Sequence, residues 1–440
     1  MPPTAFFASK VENDEAQNFD GEPLDVDATD EERETMNETW NRREIKDCPD
    51  LLQLARTAMP KCSLQIHYRS AFRELINYSN AAFYGSNLSV PVRHSEAKLA
   101  QLKPIELIRV DGVYEDQTNP EEAERVVDVL AQIWQQPYAE RPSVGVVTFN
   151  RKQADLIETV LQRRAEEDVG FREAFRLESQ RNEEGEDMAV FVKNVENVQG
   201  DERDVIVFST TFGRNRQGTF RRYFGVLGQK GGERRLNVAV TRARQKIYMV
   251  TSMPINDISD ALITRRKLAT PRDFLQGYME YARSISEGDF SGADAWLSRW
   301  AGASSKTAAS HQRLDDGFSQ AVEDYLRSLG RTVAVTAQDD AFGVDFAIED
   351  DATGLYVIGI ECDAPRHELL GRARAREVWR PRVLRQAISV IHRVSLQDWY
   401  QEPQAEQRRL RNAIDRAMTD AAAQASPESG GRVTNEAAKP

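Results

Sequence analysis

Two carboxylates lie at positions where neighbouring strands could bring them together. Asp345 opens the stretch DFAI, and Glu361 closes the stretch LYVIGIE. Carboxylates at the ends of adjacent strands can hold one or two Mg²⁺ ions that activate water against a phosphodiester. Glu323, on a predicted helix, and Asp363 could complete such a shell. Taken alone, these residues are more ordinarily interpreted as solvated strand ends and turns.

An arginine-rich stretch follows these carboxylates. Between Arg366 and Arg393 there are eight arginines and two glutamates. Arginines can contact phosphates and position a nucleic acid without reading its sequence. The competing interpretation is a solvated helix face paired with acidic residues, which residues 1–60 could supply with six Lys/Arg against fifteen Asp/Glu. Because charge is so uneven, the net charge of −12 does not exclude a nucleic-acid partner.

Alternating strands and helices must position these residues. The patterns predict strands at 106–110, 143–149, 188–192, 204–210 and 246–252, with helices at 120–134 and 151–164 between them. This alternation predicts a mostly parallel sheet covered by helices. A second α/β unit is predicted with helices at 318–329 and 371–386 and strands at 332–336, 343–348, 355–361 and 389–394.

Composition and pattern together predict five segments. These are an acidic leader at 1–50, a parallel-sheet domain at 51–255, a helical connector at 256–310, a smaller α/β domain at 311–405, and a partly disordered tail at 406–440. The connector ends in a run of small residues, AGASSKTAAS, that is typical of linkers.

Composition also bounds the class of protein. With 40% hydrophobic and 29% charged residues, the chain is not wholly disordered. No apolar run approaches the roughly 20 residues of a membrane helix, and the N-terminus lacks a secretory pattern. Its three cysteines are far apart and form no disulfide or metal framework. We therefore predict a cytoplasmic protein with no membrane partner.

Four motifs in order resemble the later motifs of superfamily 1 helicases, and most closely the nonsense-decay-type branch. They are IHYRS at 66–70, TFNRKQ at 148–153, VENVQGDERDVIVFS at 195–209 and RRLNVAVTRAR at 234–244. The resemblance covers roughly residues 1–255 and implies the second RecA-like domain of an ATP-driven motor.

The resemblance also implies roles for individual residues. Arg69 and Arg242 match the arginines that stabilise charge on the γ-phosphate of ATP, and Arg244 is a further candidate. Glu202 resembles the residue that binds the ribose, with Gln199 and Gly200 beside it in the same motif. Thr148 and Gln153 lie where the family couples nucleotide to nucleic acid. Isolated arginines would more ordinarily be surface or ion-pair residues.

The phosphate loop of such motors has no counterpart in this sequence. The loop has the form GxxxxGK[ST], and no Gly-Lys dipeptide occurs in the chain. No apolar strand ends in the Asp-Glu pair that would hold Mg²⁺. The opening MPPTAFF resembles the end of the motif that precedes HYRS. We therefore expect ATP use only with a complementing first motor domain, which is separately encoded or lies upstream.

The second unit resembles the PD-(D/E)xK nuclease-like domain related to very-short-patch-repair endonucleases. The resemblance implies a restriction-endonuclease-like α/β fold, metal ligation by Asp345, Glu361 and Glu323, and catalytic roles for Asp363 and His367. The sequence departs from the pattern, because Asp363 replaces the lysine of the ExK triplet. Pro381 is also expected to kink the arginine-rich helix.

The sequence thus predicts an α/β chain in which a RecA-like domain precedes a smaller restriction-endonuclease-like domain. The implied function is the C-terminal portion of an ATP-dependent DNA or RNA helicase with a nuclease-like domain, using ATP and Mg²⁺. The alternative is a non-catalytic nucleic-acid-binding or interaction module, which would bind DNA in a salt-dependent way without turnover.

Overall fold

The computed structural model describes most of the chain beyond residue 66. The described residues are 55, 59–60, 67, 69–90, 92, 94–183, 185–264, 267–301, 317–335, 343–351, 354–363, 373–385 and 387–425. The predicted acidic leader at 1–50 lies outside them. Contacts divide the chain into two units, 1–64 and 65–440, and the description below concerns the second. None of the described helices combines the length and apolar character needed to cross a bilayer.

The larger sheet contains five strands, all paired in parallel. Its strands are β1 Ile105–Arg109, β2 Val144–Thr148, β5 Phe191–Asn194, β6 Arg203–Ser209 and β7 Ala243–Thr251. Two further strands, β3 Asn182–Glu183 and β4 Glu186–Asp187, form a separate short hairpin. The strand order is β1-β7-β6-β2-β5. The order reverses direction within the sheet, as in doubly wound α/β domains, and the predicted parallel sheet is confirmed.

Nine helices accompany this sheet in the described part of the chain. They are α1 Glu74–Phe83, α2 Glu96–Leu102, α3 Pro120–Trp134, α4 Arg151–Glu167, α5 Val169–Glu178, α6 Gly232–Val240, α7 Ala261–Thr264, α8 Pro271–Glu287 and α9 Phe290–Ala301. Asn119 caps α3 by accepting from the Glu122 amide at 3.1 Å. Pro120 at the first turn has no amide to leave unpaired, so α3 begins at the predicted residue.

The segment predicted as a connector is part of the larger domain. Leu275, Tyr278 and Tyr281 of α8 are each 1% exposed and lie in the same core as β6 and β7. The Tyr281 hydroxyl donates to the backbone oxygen of Glu74 at 2.8 Å, which ties α8 to α1. The boundary predicted at residue 255 therefore cuts through a packed core. Residues 302–310 of the small-residue run lie outside the described residues.

The smaller sheet has four strands in the order β11-β10-β9-β8. They are β8 Val333–Val335, β9 Phe346–Glu349, β10 Tyr356–Cys362 and β11 Val390–Val394. β10 pairs in parallel with β11, and the other pairs are antiparallel. Its helices are α10 Gly317–Ser328, α11 Arg380–Leu384, α12 Leu396–Gln401 and α13 Pro403–Ala425.

Helix α13 extends this second core beyond the predicted boundary at residue 405. Leu410 and Ile414 are no more than 1% exposed and pack in the same cluster as Phe346 and Ile358. Most of the segment predicted as a tail is therefore a structural helix. Residues 426–440 lie outside the described part of the chain.

The arginine-rich helix predicted at 371–386 contains a π-helical turn. Residues Ala375–Trp379 form a π-helical turn in which the Arg380 amide donates to the Ala375 oxygen, and α11 follows. Pro381 lies in the first turn of α11 and has no amide hydrogen to donate to the preceding turn.

The strand predicted at 188–192 is displaced toward the C-terminus. Pairing of β5 with β2 begins where Phe191 faces Gly145. A Cβ added at Gly145 would lie 2.3 Å from the Phe191 ring, so only glycine admits this ring. The ring thus fixes a register that period-two alternation alone does not specify.

Candidate functional site

Three arginines and one carboxylate meet at the amino ends of β6 and β7. Arg69 contacts the Glu202 Oε2 atom at 2.8 Å, and Arg244 contacts Oε1 at 2.5 Å. The Ala71 amide donates to the Arg244 oxygen at 2.7 Å, which holds the segment after Arg69 against β7. Residues from three predicted motifs are therefore brought together, as the sequence resemblance requires. We call Arg69, Glu202, Arg242 and Arg244 the arginine cluster.

Arg242 differs from the other two arginines of the cluster. Its Nε donates to the Val238 oxygen at 2.7 Å, and its Nη2 donates to Thr241 Oγ1 at 3.0 Å. No described carboxylate lies within ion-pair distance of it. Burial, and next the charge of Arg69, lower the pKa of Arg242. The single carboxylate of Glu202 is already shared by Arg69 and Arg244, so the cluster retains positive charge.

Gln199 and Gly200 lie on the exposed turn that leads into the cluster. Gly200 has a φ of +94°, and a Cβ added there would meet nothing within 4 Å. Glycine is thus required by backbone conformation rather than by crowding. The turn leaves the backbone beside Glu202 open to solvent.

A buried polar network occupies the opposite, carboxyl edge of the sheet. Glu122 is 0% exposed and accepts from the amides of Thr211 and Ser252 at 2.8 and 2.6 Å. The hydroxyls of Ser209 and Thr210 also donate to it. Burial raises the pKa of Glu122, and these hydrogen bonds oppose that effect. The network joins the ends of β6 and β7 to the first turn of α3.

Gln153 and Thr148 belong to this interior rather than to a ligand surface. Gln153 is 0% exposed; it accepts from the Asn119 amide at 2.8 Å and donates to the Asn119 oxygen at 2.9 Å. Thr148, also 0% exposed, donates to the Asn150 oxygen at 2.6 Å. Their side chains hold α3 and α4 together, so any coupling role would be indirect.

Replacing Glu122 with glutamine should destabilise the larger domain. Each carboxylate oxygen accepts one backbone amide, so an amide NH₂ at either position would face a second N–H donor. Leaving a buried donor unpaired costs about 1–3 kcal/mol. Urea unfolding followed by circular dichroism should show this loss for Glu122→Gln. The adjacent exposed Glu121→Gln serves as the control, and equal midpoints for both variants would contradict the expectation.

In the smaller domain, Glu361 is held by two arginines. It is 3% exposed on β10, and its Oε1 accepts from Arg380, which is 1% exposed. Its Oε2 lies 3.3 Å from Arg393 of β11. Arg380 also donates to the Gly343 oxygen at 2.5 Å. Both carboxylate oxygens therefore already face guanidinium groups.

The other predicted ligands are committed to structural contacts. Asp345 accepts from the Cys362 amide at 2.7 Å, Asp363 accepts from the Leu396 amide at 2.9 Å, and Glu323 contacts Arg327 at 2.7 Å. His367 lies outside the described residues. No group of three or more His, Cys, Asp or Glu side chains that could hold a metal occurs in the part of the chain that the structure describes. As arranged, these residues do not fit the predicted metal site.

Comparisons with known proteins place these two sites in two domains. Residues 49–254 match the AAA domain family AAA_12, and residues 318–414 match the family REase_MTES_1575. The AAA-type match covers most of the larger domain and the restriction-endonuclease-type match most of the smaller one, and we call these the AAA domain and the endonuclease-like domain. The arginine cluster lies in the AAA domain, and Glu361 with Arg380 lies in the endonuclease-like domain.

Similar proteins include two helicases. The chain is 34% identical over 249 residues to an uncharacterized ATP-dependent helicase of Mycoplasma genitalium, and 32% identical over 257 residues to its homologue in Mycoplasma pneumoniae. These matches cover 57% and 58% of the chain but only 20% of each relative. A solved C-terminal domain of a possible DNA helicase from Lactobacillus plantarum matches with 13% identity and a TM-score of 0.25, covering 44% of this chain and 96% of that one.

His67 is a residue of the AAA domain whose role the sequence did not reveal. Its Nε2 accepts from the Ser70 amide at 3.3 Å and lies 2.8 Å from the Ser70 hydroxyl. Burial, and then the charge of Arg69, lower the pKa of His67 to about 4. A neutral imidazole thus shapes the turn that presents Arg69 to the cluster.

This histidine should make stability depend on pH. The unfolded state takes up a proton near pH 6.5, whereas the folded state resists protonation down to about pH 4. The contribution of neutral His67 to the free energy of unfolding is therefore complete at neutral pH, and this contribution falls as the pH falls from 6.5 towards 4. Urea midpoints measured from pH 7 to pH 5 should decline less steeply for His67→Gln than for the wild type. Parallel declines would show that His67 is not the titrating group.

Arg380 belongs to the arginine-rich stretch predicted to contact phosphates, but it is 1% exposed and donates to Glu361 instead. Arg393, on β11, also contacts Glu361. Both lie in a stretch of eight arginines, and nothing in its spacing marks which of them pair with Glu361.

Proposed function

We propose that the AAA domain completes the nucleotide site of an ATP-dependent helicase that acts on DNA or RNA. The observation that carries the proposal is the arginine cluster, in which Arg69 and Arg244, from separate motifs, share the carboxylate of Glu202 and Arg242 adds a third guanidinium group. A partly buried group of positive charge at one edge of a sheet is suited to an anion such as a triphosphate. Arg242, anchored through Val238 and Thr241, is held in place without a carboxylate partner among the described residues.

In this proposal the cluster acts on charge rather than by covalent chemistry. Arg242 and Arg69 would stabilise the charge that develops on the γ-phosphate as it is transferred. Glu202 would contact the ribose, and it must then release Arg69 or Arg244, whose charges become available to the phosphates. ATP and its Mg²⁺ would be held by a complementing domain that carries the phosphate loop, since the sequence has no GxxxxGK[ST] segment.

A nucleic-acid strand would meet the opposite edge of the AAA sheet. The long segment after β6 exposes Arg221 and Tyr223, and the Tyr223 side chain is 69% exposed. Burial, and then the nearby Tyr223, raise the pKa of Tyr114, so the two phenols lie near one another. Exposed aromatic rings beside arginines are typical of surfaces that stack bases and contact phosphates.

An ATPase assay tests the proposal. ATP hydrolysis is measured with single-stranded DNA for the full chain alone, and again after fusion behind a superfamily 1 phosphate-loop domain. We expect no hydrolysis by the chain alone and strand-stimulated hydrolysis by the fusion. Hydrolysis by the chain alone, or a fusion whose rate is independent of the arginine cluster, would contradict the proposal.

A second candidate function is a nucleic-acid-binding module without turnover. The pairing of Glu361 with Arg380 and Arg393 favours it for the endonuclease-like domain, because both oxygens of the carboxylate are occupied. Incubation of the full chain with DNA and Mn²⁺ or Mg²⁺ separates the two. Cleavage that is lost in Asp345→Ala would support a nuclease, and binding without cleavage would support the module.

A further inference from the structure

The guanidinium group of Arg242 is bound along one of its two forked edges. Its Nε donates to the Val238 oxygen at 2.7 Å, and its Nη2 donates to the Thr241 hydroxyl at 3.0 Å. The N–H donors of a guanidinium group lie in one plane, so these two bonds together fix the orientation of that plane. The other edge is formed by Nη1 and Nη2, and an edge of this kind bonds two phosphate oxygens at once.

The Thr241 hydroxyl accepts from Arg242 because its own hydrogen is donated back into α6. Its Oγ1 lies 2.9 Å from the Asn237 oxygen and 3.0 Å from the Val238 oxygen. A hydroxyl that donates in this direction keeps a lone pair for a second group, and here that group is Nη2 of Arg242. The hydroxyl therefore connects the guanidinium group to the last turn of α6, and a side chain without a hydroxyl at this position would lose the connection.

The turn of α6 that supplies these acceptors is packed into the core of the AAA domain. Leu236, Ala239 and Val240 are each no more than 1% exposed and lie in the same core as β6 and β7. On the remaining side, the Asn237 amide donates to the hydroxyl of Tyr84, the residue that ends α1, at 3.3 Å. Close packing leaves such a turn little freedom to shift. The backbone oxygens that orient the Thr241 hydroxyl are therefore fixed in place.

The other two arginines of the cluster are held in a different way. Arg69 and Arg244 are each paired with the Glu202 carboxylate, at 2.8 and 2.5 Å. Removal of the Thr241 hydroxyl leaves both ion pairs intact, whereas it takes from Arg242 one of the two acceptors that hold its guanidinium group. The effect of such a change should therefore fall on Arg242 rather than on the cluster as a whole.

We propose that Thr241 is a positioning residue, whose hydroxyl turns the Nη1–Nη2 edge of Arg242 toward the triphosphate. Without the hydroxyl, only the bond from Nε to the Val238 oxygen remains, and the guanidinium group pivots about it. A charged group displaced in this way stabilises the transferring phosphoryl group less well. The inference rests on the proposed function, since it takes Arg242 as the residue that contacts phosphate, and it adds a residue that acts only through Arg242.

The first test measures kcat and the KM for ATP in the full chain fused behind a superfamily 1 phosphate-loop domain. Thr241→Val removes the hydroxyl with little change of shape, and it should lower kcat by about 10- to 100-fold while the KM changes comparatively little. Thr241→Ser keeps the hydroxyl and should retain most of kcat. Thr159→Val is the matched control, because the Thr159 hydroxyl donates to the Asp155 oxygen at 2.9 Å on α4, outside the cluster. It should leave kcat unchanged.

A double variant separates positioning from a general loss of structure. If Thr241 acts through Arg242, the variant Arg242→Ala/Thr241→Val should be no slower than Arg242→Ala, because the group that Thr241 orients is already gone. A further fall as large as that of Thr241→Val alone would overturn the inference. Wild-type kcat in Thr241→Val, or a fall in Thr241→Ser as large as that in Thr241→Val, would overturn it as well.

The orientation of Arg242 can also be followed in the full chain alone, without ATP. NMR of the nitrogen-labelled chain records the Nε–H groups of its arginines, and the resonance of Arg242 is the one that disappears in Arg242→Lys. The hydrogen on Nε is donated to the Val238 oxygen, so it should exchange slowly with water. Exchange should become several-fold faster in Thr241→Val and should keep the wild-type rate in Thr241→Ser and Thr159→Val. Equal rates in the wild type and Thr241→Val would overturn the inference.

The two measurements distinguish a failure of this inference from a failure of the proposed function. Hydrolysis that is lost in Arg242→Ala but unaffected by Thr241→Val would remove Thr241 from the mechanism and leave the proposed ATPase function intact. A fusion that hydrolyses no ATP would contradict the proposed function, and the exchange rate of the Arg242 Nε–H would then decide alone whether Thr241 orients the guanidinium group.

Discussion

Arg242→Ala should lower the rate of ATP hydrolysis by about 10³- to 10⁵-fold once the chain is joined to a phosphate-loop domain. That is the range over which an arginine aimed at the transferring phosphoryl group contributes to phosphoryl transfer. The structure gives a reason to choose this arginine, since Arg69 and Arg244 share Glu202 while Arg242 is anchored only by neutral oxygens. Its guanidinium is thus positioned before any nucleotide arrives, which is the condition for electrostatic stabilisation.

The kinetic pattern distinguishes this role from a general loss of structure. An arginine that acts mainly on the transition state should lower kcat while changing the KM for ATP comparatively little. Arg163→Ala is the control, because Arg163 is about half exposed, pairs with Glu124 and lies outside the arginine cluster. An Arg242→Ala enzyme that retains wild-type kcat, or an equal fall in Arg163→Ala, would remove Arg242 from the proposed mechanism.

The parallel sheet could be predicted from the sequence because its signals are local. The stretch VGVV is apolar, as a strand covered on both faces must be, and all five residues of β2, including Thr148, are buried. Asn119 followed by Pro120 marks the start of α3, and the structure places the cap there. The convergence of Arg69 with Glu202 and Arg242 followed from recognising ordered motifs, since nothing local connects Arg69 to residues more than 130 positions later in the chain.

What the sequence could not supply depends on tertiary packing. The residues of α8 have the same amphipathic pattern whether they link two domains or cover a sheet, and only the buried side chains of Leu275, Tyr278 and Tyr281 decide between the two. Gln153 was assigned by its motif to coupling with nucleic acid. Its side chain is instead buried, where it exchanges two hydrogen bonds with the backbone of Asn119, the residue that caps α3.

The assignment of Glu361 shows the same limit for charged residues. A carboxylate at the end of a strand has the same sequence signature whether it binds a cation or a guanidinium group. The distinction rests on Arg380, which is 19 positions away and directly follows the π-helical turn at Ala375–Trp379. The residue type indicated that Glu361 would contact a cationic group, but it did not indicate whether that group is a metal ion or a guanidinium.

Glu361→Ala should therefore destabilise the endonuclease-like domain rather than only remove a ligand. The change removes the carboxylate that pairs with the buried guanidinium of Arg380. Removing one partner of a buried ion pair costs about 3–5 kcal/mol. Hydrogen exchange of the amides of β10 reports on this domain alone, and it should accelerate accordingly. The exposed Glu377→Ala, which also removes a contact to Arg393, should change exchange by well under 1 kcal/mol.

Removing both partners provides the decisive comparison. The double variant Glu361→Leu/Arg380→Met replaces two buried charges with apolar side chains of similar size, and such replacements are often neutral or stabilising. It should recover most of the protection lost in Glu361→Ala, because the cost of that single change lies in the stranded charge of Arg380. If Glu361→Ala instead leaves exchange in β10 unchanged but abolishes a Mn²⁺-dependent cleavage, Glu361 is a metal ligand and Arg380 is a replaceable neighbour. Recovery in the double variant without any cleavage would establish the pair as a structural element of this domain.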